Sequence, residues 1–305
     1  MALLLDNHMP NNTLAIIVTY HPQLEQLMSQ VNILSKSNVD IIIVDNASDN
    51  NYALKNMAFE FDKHIEVILC DSNLGIAAAQ NIGINHAIIN RYKNILLMDQ
   101  DSLPANDMVS SLQEVLVKYP DAAAVGPQFL DVNNNVRSRF IQIRGLKIDK
   151  KLKPDDNGCV IVDHLISSGS LISVESIQKV GLMDDTLFID YVDVEWALRA
   201  KSKGFKSYGA CNAHMTHTLG DERVNFLSNS IAIHSPLRHY YQARNALLLY
   251  KRNYIPFNWK VVDAFKLIVK MSFYIIASRN KSLELKMIFR GVMHGLRGIH
   301  GRYSQ

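Results

Sequence analysis

Four short apolar segments early in the chain each run into polar residues, and this pattern restricts the fold more than any other feature. The segments cover residues 14–20, 39–44, 65–70 and 95–98. Continuous apolar runs of this length are typical of strands buried on both faces of a parallel sheet. Between them, residues 24–34 and 76–90 carry the pattern of helices. The alternation predicts a parallel α/β sheet with right-handed crossovers and polar strand ends along one edge.

Two carboxylates follow the fourth apolar segment, in the sequence Asp99-Gln100-Asp101. Ligands bind at the carboxyl edge of open α/β sheets, and alternate residues of an extended chain can offer oxygen atoms to one cation. The arrangement points to a divalent metal that holds a diphosphate. Because Asp-x-Asp also occurs by chance, a solvated loop in which Asp101 or Ser102 caps the next helix is the alternative interpretation.

The composition indicates a globular α/β protein. With 305 residues, 48% of them hydrophobic, the chain is long enough for one large domain and an appendage. A formal net charge of +3 does not indicate a nucleic-acid partner, although basic residues crowd toward the C-terminus. Cys70, Cys159 and Cys211 lack metal-ligand spacing and are expected to be reduced thiols of a cytosolic protein. We expect no secretory signal, and no apolar stretch approaches the roughly 20 residues of a membrane span.

Several motifs occur in a fixed order and together resemble the family 2 glycosyltransferases, in particular their bacterial rhamnosyltransferase-like branch. The motifs are VTY at 18–20, VDNAS at 44–48, NLGIAAAQNIGI at 73–84, MDQDS at 98–102, FIDYVDVEWALRA at 188–200, HTLGD at 217–221 and HSPLRHYYQARN at 234–245. The combination is much more specific than any one motif.

The resemblance implies the GT-A fold, a Rossmann-like and mostly parallel sheet flanked by helices, with a C-terminal helical extension. It implies an N-terminal tail at 1–12, a catalytic domain at 13–234 and a helical region at 235–305. Within the catalytic domain, the nucleotide-binding half would cover about 13–128 and the acceptor-binding half about 129–234. The implied reaction is inverting, metal-dependent transfer from a nucleotide sugar. The expected donor is dTDP-rhamnose, and the expected acceptor is a lipid-linked or other glycan of cell-surface polysaccharide (O-antigen or capsule) synthesis.

The resemblance also assigns residues to the nucleotide. Thr19 and Tyr20 would flank the base and ribose, and Asp45 would accept a hydrogen bond from the base. For Asp45 the alternative is a residue that begins a turn or caps a helix. Asn73 and Gly75 match positions where the backbone approaches the nucleotide, and simple helix capping is the alternative there.

The same resemblance makes Asp101 the direct metal ligand and places Asp99 closer to the ribose. His217 resembles a late histidine that completes the metal site, with an ordinary loop residue as the alternative. Gln80 would face the sugar phosphate, or only solvent. Mg²⁺ or Mn²⁺ is the expected cofactor, because both ions prefer oxygen ligands and neutralise charge on a departing diphosphate.

Inversion in one step requires a base that faces the acceptor hydroxyl. Asp193 matches the aspartate of an acidic pair at the start of a helix, and N-capping is its alternative role. Because Val192 stands where that pair often has Glu, Asp190 is the alternative base. Glu195 and Trp196 are expected near the acceptor, although an aromatic residue in an amphipathic stretch also suits the core.

Three further residues complete the predicted site. Gly169 lies in a serine-rich loop, where a glycine allows close approach of an acceptor or of a helix. Arg238 and Arg244 fall within one helical pattern, and the forked donors of arginine suit a diphosphate. A solvated basic face is the alternative for both arginines.

Apolar residues recur at helical spacing from 259 to 277 and alternate with lysines. Such a helix can lie in a membrane interface, attracted by anionic lipid. It can also pack on the catalytic domain or on a second subunit, which would make the protein a homo-oligomer. The resemblance favours a cytoplasmic enzyme that is peripheral on the inner face of the cytoplasmic membrane.

Other functions compete with rhamnosyl transfer. A UDP-linked sugar is the alternative donor. A sugar-phosphate nucleotidyltransferase would need a glycine-rich phosphate loop with a basic residue after the first strand, and VTYHPQLEQ at 18–26 has none. A non-catalytic nucleotide- or glycan-binding module would be favoured if substitutions of Asp101 and Asp193 left function intact.

Overall fold

The computed structural model of the protein describes residues 11–49, 53–56, 65–131, 136–217, 222–226 and 229–304. Its strands are β1 Thr13–Thr19, β2 Asp40–Asp45, β3 Ile65–Leu69, β4 Asn94–Asp99, β5 Ser102–Pro104, β6 Ala122–Asp131, β7 Val136–Arg137, β8 Gln142–Arg144, β9 Lys147–Asp149, β10 Cys159–Val162, β11 Ser170–Ser173, β12 Lys206–His217, β13 Glu222–Phe226 and β14 Asn229–Ile233. Its helices are α1 Leu24–Ser35, α2 Ile76–Ile89, α3 Met108–Lys118, α4 Val174–Val180, α5 Val192–Ser202, α6 Pro236–Tyr250, α7 Phe257–Ala277 and α8 Lys281–Arg297.

A ten-stranded mixed sheet forms the centre of the described chain. Its main path runs β10-β12-β6-β11-β4-β1-β2-β3, with β5 beside β12 and β7 beside β6. Strands β3, β2, β1 and β4 pair in parallel, which confirms the prediction from the alternation of strands and helices. Their carboxyl ends therefore lie along one edge.

Strand β11 was not expected from the sequence pattern. It lies between β4 and β6 and is antiparallel to both. The sheet is therefore mixed at this point, next to the parallel strands β3, β2, β1 and β4. Ser173 still caps the helix predicted after it, because its hydroxyl accepts a hydrogen bond from the Ser176 amide. The insertion brings the loop before β11 to the carboxyl end of β4.

The end of β12 was not expected as a strand. Helix α1 begins at Leu24, where the apolar spacing predicts it, and Pro104 belongs to β5. Strand β12 extends through His214 and His217, so His217 is not the ordinary loop residue that was its alternative. The reason is tertiary pairing, because β5 aligns antiparallel to the end of β12 and both segments become extended.

Helices cover both faces of the sheet, as the alternation of side chains along β1 illustrates. Ile16 packs in the apolar cluster that includes Ile84 of α2, while Ile17 packs in the opposite cluster with Leu27 of α1. Gly83 allows α2 to pack closely against β1, since a Cβ atom at this position would lie 2.5 Å from Ile16 Cγ2.

The C-terminal helices α6, α7 and α8 agree with the sequence prediction, and α8 packs directly on α6. A Cβ atom on Gly291 would lie 2.5 Å from the Tyr240 carbonyl oxygen, and one on Gly295 would lie 2.7 Å from that of Arg244. Small residues therefore bring the two helix backbones together. None of the helices in the described ranges has both the length and the apolar content to cross a membrane.

Candidate active site

The turn between β4 and β5 carries the two predicted metal-binding carboxylates, and its neighbours hold it from two sides. The Gln100 side chain accepts a hydrogen bond from the Tyr20 amide at 2.7 Å and donates one to the Tyr20 carbonyl at 3.2 Å. From α1, Gln30 Nε2 donates to the carbonyls of Asp99 at 2.8 Å and Ser102 at 2.6 Å. The turn is thus anchored at the carboxyl edge where ligands bind in α/β sheets.

His217 reaches this turn because β12 pairs with β5, which sets it opposite Ser102. The His217 Nδ1 atom lies 2.6 Å from Ser102 Oγ and 3.4 Å from Asp101 Oδ1. Candidate ligand atoms of Asp99, Asp101 and His217 all lie within 4.8 Å of one another. Two carboxylates and one imidazole form a donor set that fits a divalent cation.

The charges of this cluster also favour a cation. Burial raises the pKa of Asp99, and the negative charge of Asp101 raises it further, while the charges of His217 and Arg238 lower it. Two carboxylates held this close stabilise protonation unless a positive charge balances them. A bound divalent ion supplies that charge.

Two serines that the sequence analysis did not assign connect the cluster to the sheet. Ser168 Oγ accepts a hydrogen bond from the Asp99 amide at 3.1 Å and donates to Ser102 Oγ at 2.7 Å. Ser102 in turn contacts His217. Ser102 lies in the MDQDS motif and Ser168 in the serine-rich loop, but only the insertion of β11 brings these segments together.

Asp193 lies in the first turn of α5, with its Oδ1 atom 2.8 Å from the Val194 amide. Burial, together with the negative charges of Asp190 and Asp99, raises the pKa of Asp193 to about 6. A carboxylate with a pKa in this range suits general base catalysis near neutral pH. The charge of Asp99 reaches Asp193, so the proposed base lies within electrostatic range of the metal-binding cluster.

Asp190, the alternative base, is already engaged. Its carboxylate pairs with Arg238 at 3.2 Å and accepts a weaker hydrogen bond from Gln242 at 3.5 Å. A proton transfer to Asp190 would have to disrupt this ion pair. The geometry therefore favours Asp193 over Asp190 as the base.

Thr19 and Asp45 hold a turn in this structure. Thr19 Oγ1 donates to Asp45 Oδ1 at 2.8 Å, and the Ser48 amide donates to Asp45 Oδ2 at 2.8 Å. Thr19 and Asp45 are fully buried, and these contacts agree with the turn that was the alternative for Asp45, while contact with the base and ribose stays a prediction. Tyr20 is 48% exposed at the sheet edge and stays a predicted nucleotide contact.

Asn73 and Gly75 begin α2 beside the segment that leads to Asp190. Asn73 Oδ1 accepts a hydrogen bond from the Gly75 amide at 3.0 Å. Gly75 has φ +86°, and a Cβ atom there would lie 2.5 Å from the Phe188 carbonyl oxygen. The contact of Asn73 and Gly75 with a nucleotide stays a prediction. Gly75 packs against Phe188, in the segment that carries Asp190.

Gln80 and Gly169 shape the loop before β11. The buried Gln80 side chain donates to Ser167 Oγ at 2.6 Å, so it does not face solvent, and its contact with a sugar phosphate stays a prediction. Gly169 has φ +81°, and a Cβ atom there would lie 2.7 Å from Pro127 Cγ. Gly169 is required by this backbone conformation and by packing against Pro127, and its contact with the acceptor stays a prediction.

Glu195 and Trp196 belong to the core rather than to an acceptor surface. Glu195 is fully buried and its Oε1 atom lies 2.8 Å from Arg199 Nε and 3.0 Å from Arg252 Nη1. Trp196 is buried and donates its Nε1 hydrogen to the Gly181 carbonyl at 2.8 Å. Trp196 thus packs toward the end of α4 and Glu195 toward Arg252, which agrees with the core position that was the alternative for the aromatic residue.

Arg244 is held inside the protein, which is neither a solvated basic face nor an exposed donor site. It is fully buried, and its guanidinium donates to Asn245 Oδ1 and to the Leu187 carbonyl, both at 2.9 Å, and to the Gly301 carbonyl. Arg238, on a more exposed side of the same helix, remains a predicted donor contact beside Asp190. Residues 218–221 of the HTLGD motif lie outside the described residues.

Solved structures of two glycosyltransferases share this fold. GalNAc-T7 with UDP, GalNAc and Mn²⁺ has a TM-score of 0.57 and 14% identity, and the match covers 90% of this chain and 58% of that one. The mannosyltransferase PcManGT from Pyrobaculum calidifontis, in complex with GDP-Man and Mn²⁺, has a TM-score of 0.60 and 12% identity, with 94% and 87% covered. These similarities show that the chain has the GT-A fold.

Sequence comparison identifies the family among proteins of this fold. The family model described as Glycosyl transferase family 2 matches residues 5–181. The dTDP-rhamnosyl transferase RfbF of Shigella flexneri is 32% identical over 299 residues, which cover 97% of this chain and all of that protein. The chain belongs to the family 2 glycosyltransferases and is an enzyme, and both the predicted family and the predicted GT-A fold are confirmed.

Proposed function

We propose that the enzyme transfers L-rhamnose from dTDP-rhamnose to a glycan acceptor with inversion at the sugar. The similarity to a dTDP-rhamnosyl transferase along the whole chain supports this donor. The observation that carries the reaction type is that the chain holds two acidic groups close enough for the charge of one to raise the pKa of the other. Asp99, Asp101 and His217 form one of them, and Asp193, whose pKa of about 6 responds to the charge of Asp99, forms the other.

Each group would have its own task in the reaction. A divalent cation on Asp99, Asp101 and His217 would balance the negative charge that the nucleoside diphosphate gains on leaving. Asp193 would accept the proton of the acceptor hydroxyl as it attacks the sugar carbon. The Arg238 guanidinium, ion-paired to Asp190, adds positive charge near both groups.

We propose Mn²⁺ as the cation in preference to Mg²⁺. Mg²⁺ takes oxygen ligands and keeps several waters, whereas Mn²⁺ is a softer, transition-metal ion that accepts an imidazole nitrogen more readily beside oxygen ligands. The imidazole of His217 within the cluster supports this choice.

A thermal unfolding panel tests the donor. With Mn²⁺ present, we expect dTDP and dTDP-rhamnose to raise the melting temperature more than UDP or GDP does. Without metal, we expect every one of these ligands to raise it less. A ligand at about 100 times its Kd stabilises the folded state by about 2.7 kcal/mol. Equal shifts with dTDP and UDP would move the proposal to a UDP-sugar donor, and equal shifts without metal would contradict the metal site.

We also propose that α7 and α8 hold the enzyme against the inner face of the cytoplasmic membrane, where a lipid-linked glycan is the acceptor. Residues 235–305 contain 13 of the 32 Lys and Arg but 2 of the 29 Asp and Glu, so their formal charge is +11 and that of the rest is −8. The two acids, Asp263 and Glu284, are buried. Anionic lipid attracts such a basic segment.

Exposed apolar side chains accompany this positive charge. They are Phe257, Val261, Phe265, Ile268, Val269 and Ile276 on α7, and Leu283, Leu285, Phe289 and Leu296 on α8. An amphipathic helix with basic and apolar residues together is typical of one that lies in the interface plane of a bilayer. A second copy of the chain is the alternative occupant of this apolar face.

Vesicle co-sedimentation distinguishes these occupants. We expect the protein to bind vesicles of phosphatidylglycerol at low salt, and Phe265→Ser with Ile268→Ser to weaken binding at least about tenfold, because each buried side chain contributes about 1.5–3 kcal/mol. Ile89→Ser, which removes an apolar side chain that is 76% exposed on α2, is the matched control and should bind normally. Absence of binding, or a dimer in solution that the double substitution dissociates, would contradict the membrane proposal.

A further inference from the structure

The segment from Leu187 to Tyr191 carries Asp190 and leads directly into α5, which carries Asp193. Its backbone is unusual, because Phe188, Asp190 and Tyr191 have φ values of 66°, 65° and 66°. Residues other than glycine seldom adopt this left-handed conformation, and they do so only when their surroundings hold them there. Something outside the segment must therefore maintain it.

Asn245 on α6 makes the contacts that maintain the middle of the segment. Its Nδ2 atom lies 2.9 Å from the Leu187 carbonyl oxygen, 2.8 Å from that of Ile189 and 3.0 Å from that of Asp190. The side chain is fully buried, and its Oδ1 atom accepts a hydrogen bond from Arg244 Nε at 2.9 Å. This arrangement requires a donor on one side and an acceptor on the other, which an amide provides.

Other contacts hold the ends of the segment and one side chain. The Ile76 amide donates to the Phe188 carbonyl at 2.7 Å, beside Gly75. The Tyr191 hydroxyl donates to Asp263 of α7 at 2.9 Å, and the Asp190 carboxylate pairs with Arg238. The backbone carbonyls of Ile189 and Asp190 both accept from Asn245, so this amide holds the backbone that leads into α5.

We propose that Asn245 is a positioning residue for glycosyl transfer: it sets the backbone of residues 187–191 so that Asp193, at the start of α5, faces the acceptor hydroxyl. The C-terminal helices thereby take part in building the active site. The inference rests on the proposed function, because Asn245 acts through the proposed base. A misplacement of about 1 Å in a reacting group can lower the rate about a hundredfold.

Two substitutions of Asn245 test this role. Asn245→Asp keeps the size but loses both hydrogen-bond donors and turns a carboxylate toward three carbonyls, so we expect kcat to fall about a hundredfold. Asn245→Ser retains one hydrogen-bond donor, and its kcat should lie between that of Asn245→Asp and that of the wild type. KM for the donor sugar should stay within about twofold in both, because the metal cluster lies on other elements.

The control is Asn280→Ala, which removes the side chain that caps α8 by accepting from the Leu283 amide. This variant loosens the same helical region without touching residues 187–191, and its kcat should remain normal. Melting temperature and the fraction of folded protein are measured for every variant, at reduced temperature for any that is unstable. Normal kcat per folded molecule in both Asn245 variants, or equal losses in kcat and in donor binding, would overturn the proposal.

Asp193→Asn distinguishes a failure of the positioning role of Asn245 from a failure of the proposed function on which it rests. If Asp193→Asn remains active, the assignment of the base fails and the role of Asn245 fails with it. If Asp193→Asn is inactive while the Asn245 variants keep the wild-type kcat, only the positioning role is wrong. A pH profile of kcat/KM that shifts in Asn245→Ser but not in Asn280→Ala would support the proposal, because a purely structural role would not move it.

Discussion

Asp193→Asn is expected to abolish transfer and, above pH 6, to make the folded protein more stable than the wild type. Burial, with the charges of Asp190 and Asp99, raises the pKa of Asp193 to about 6. In an unfolded chain the pKa of an aspartate is about 3.9. Asparagine carries no charge to bury, and its side-chain oxygen can still accept the hydrogen bond from the Val194 amide.

The sign of the stability change follows from these two pKa values. Because the folded-state pKa is the higher one, protonation of Asp193 favours the folded chain, and this advantage is lost as pH rises from about 4 to about 6. A difference of about two pKa units corresponds to about 3 kcal/mol. The free energy of unfolding of Asp193→Asn should therefore match that of the wild type below about pH 4 and exceed it by about 2–3 kcal/mol at pH 8.

Activity should change in the opposite direction. Loss of a general base lowers the rate by about 10²–10⁴, while donor binding persists because the metal cluster is intact. For the wild type we expect kcat/KM to rise with pH up to about 6 and then to level off, because the base must be ionised to accept a proton.

Urea unfolding at several pH values, together with assays of kcat and donor binding, checks both effects. Glu175→Gln is the control, since this exposed glutamate on α4 pairs only with Lys179 among its described ion pairs. A variant of Asp193 that keeps its activity, or that is less stable than the wild type at pH 8, would refute the assignment.

Much of the sheet could be predicted from the sequence because strands that are buried on both faces consist of continuous apolar runs. Runs such as 95–98 must be covered on both faces, and the polar residues that follow them must lie at an edge. The same reasoning found Asp99 and Asp101. Strand β11 could not be found in this way, since Ser170–Ser173 is a strand only because β4 and β6 flank it.

The alternatives that the sequence left open within the site have a common physical cause. Helical spacing predicts which residues share a face, but it does not say whether that face meets solvent or another element. Arg244 and Arg238 lie on one helix, yet Arg244 is buried over the ring of Tyr241 at 4.8 Å while Arg238 meets Asp190. Likewise, Asp45 at the end of β2 resembles a ligand in sequence, but its oxygens accept hydrogen bonds from its own turn.

Long-range pairing also explains why the complete metal cluster was visible only through the family resemblance. His217 and Ser102 are 115 positions apart, and the antiparallel alignment of β5 with β12 brings them into contact. No local pattern records such a pairing. The positioning contact of Asn245 with residues 187–191 is similarly non-local, which is why the sequence analysis missed it.

Asp101→Asn is expected to lose activity about a thousandfold while leaving the fold intact. Asp101 offers one of three candidate ligands, and an amide binds a hard divalent cation more weakly than a carboxylate does. Loss of several kcal/mol of charge stabilisation on the leaving diphosphate corresponds to this change in rate. The fold should tolerate it, since the Asp101 side chain is 39% exposed.

The measurements are activity against Mn²⁺ concentration and the stabilisation that dTDP confers with and without Mn²⁺. Wild-type enzyme should lose activity in a chelator and recover it when Mn²⁺ is added, whereas Asp101→Asn should show neither recovery nor stabilisation by dTDP with Mn²⁺. Asp107→Asn, an exposed substitution beside the same turn, is the matched control and should behave as wild type. Because nucleotide binding and catalysis both depend on this cation, full activity of Asp101→Asn in chelator would refute the metal-dependent mechanism and leave the histidine and two carboxylates with a structural role.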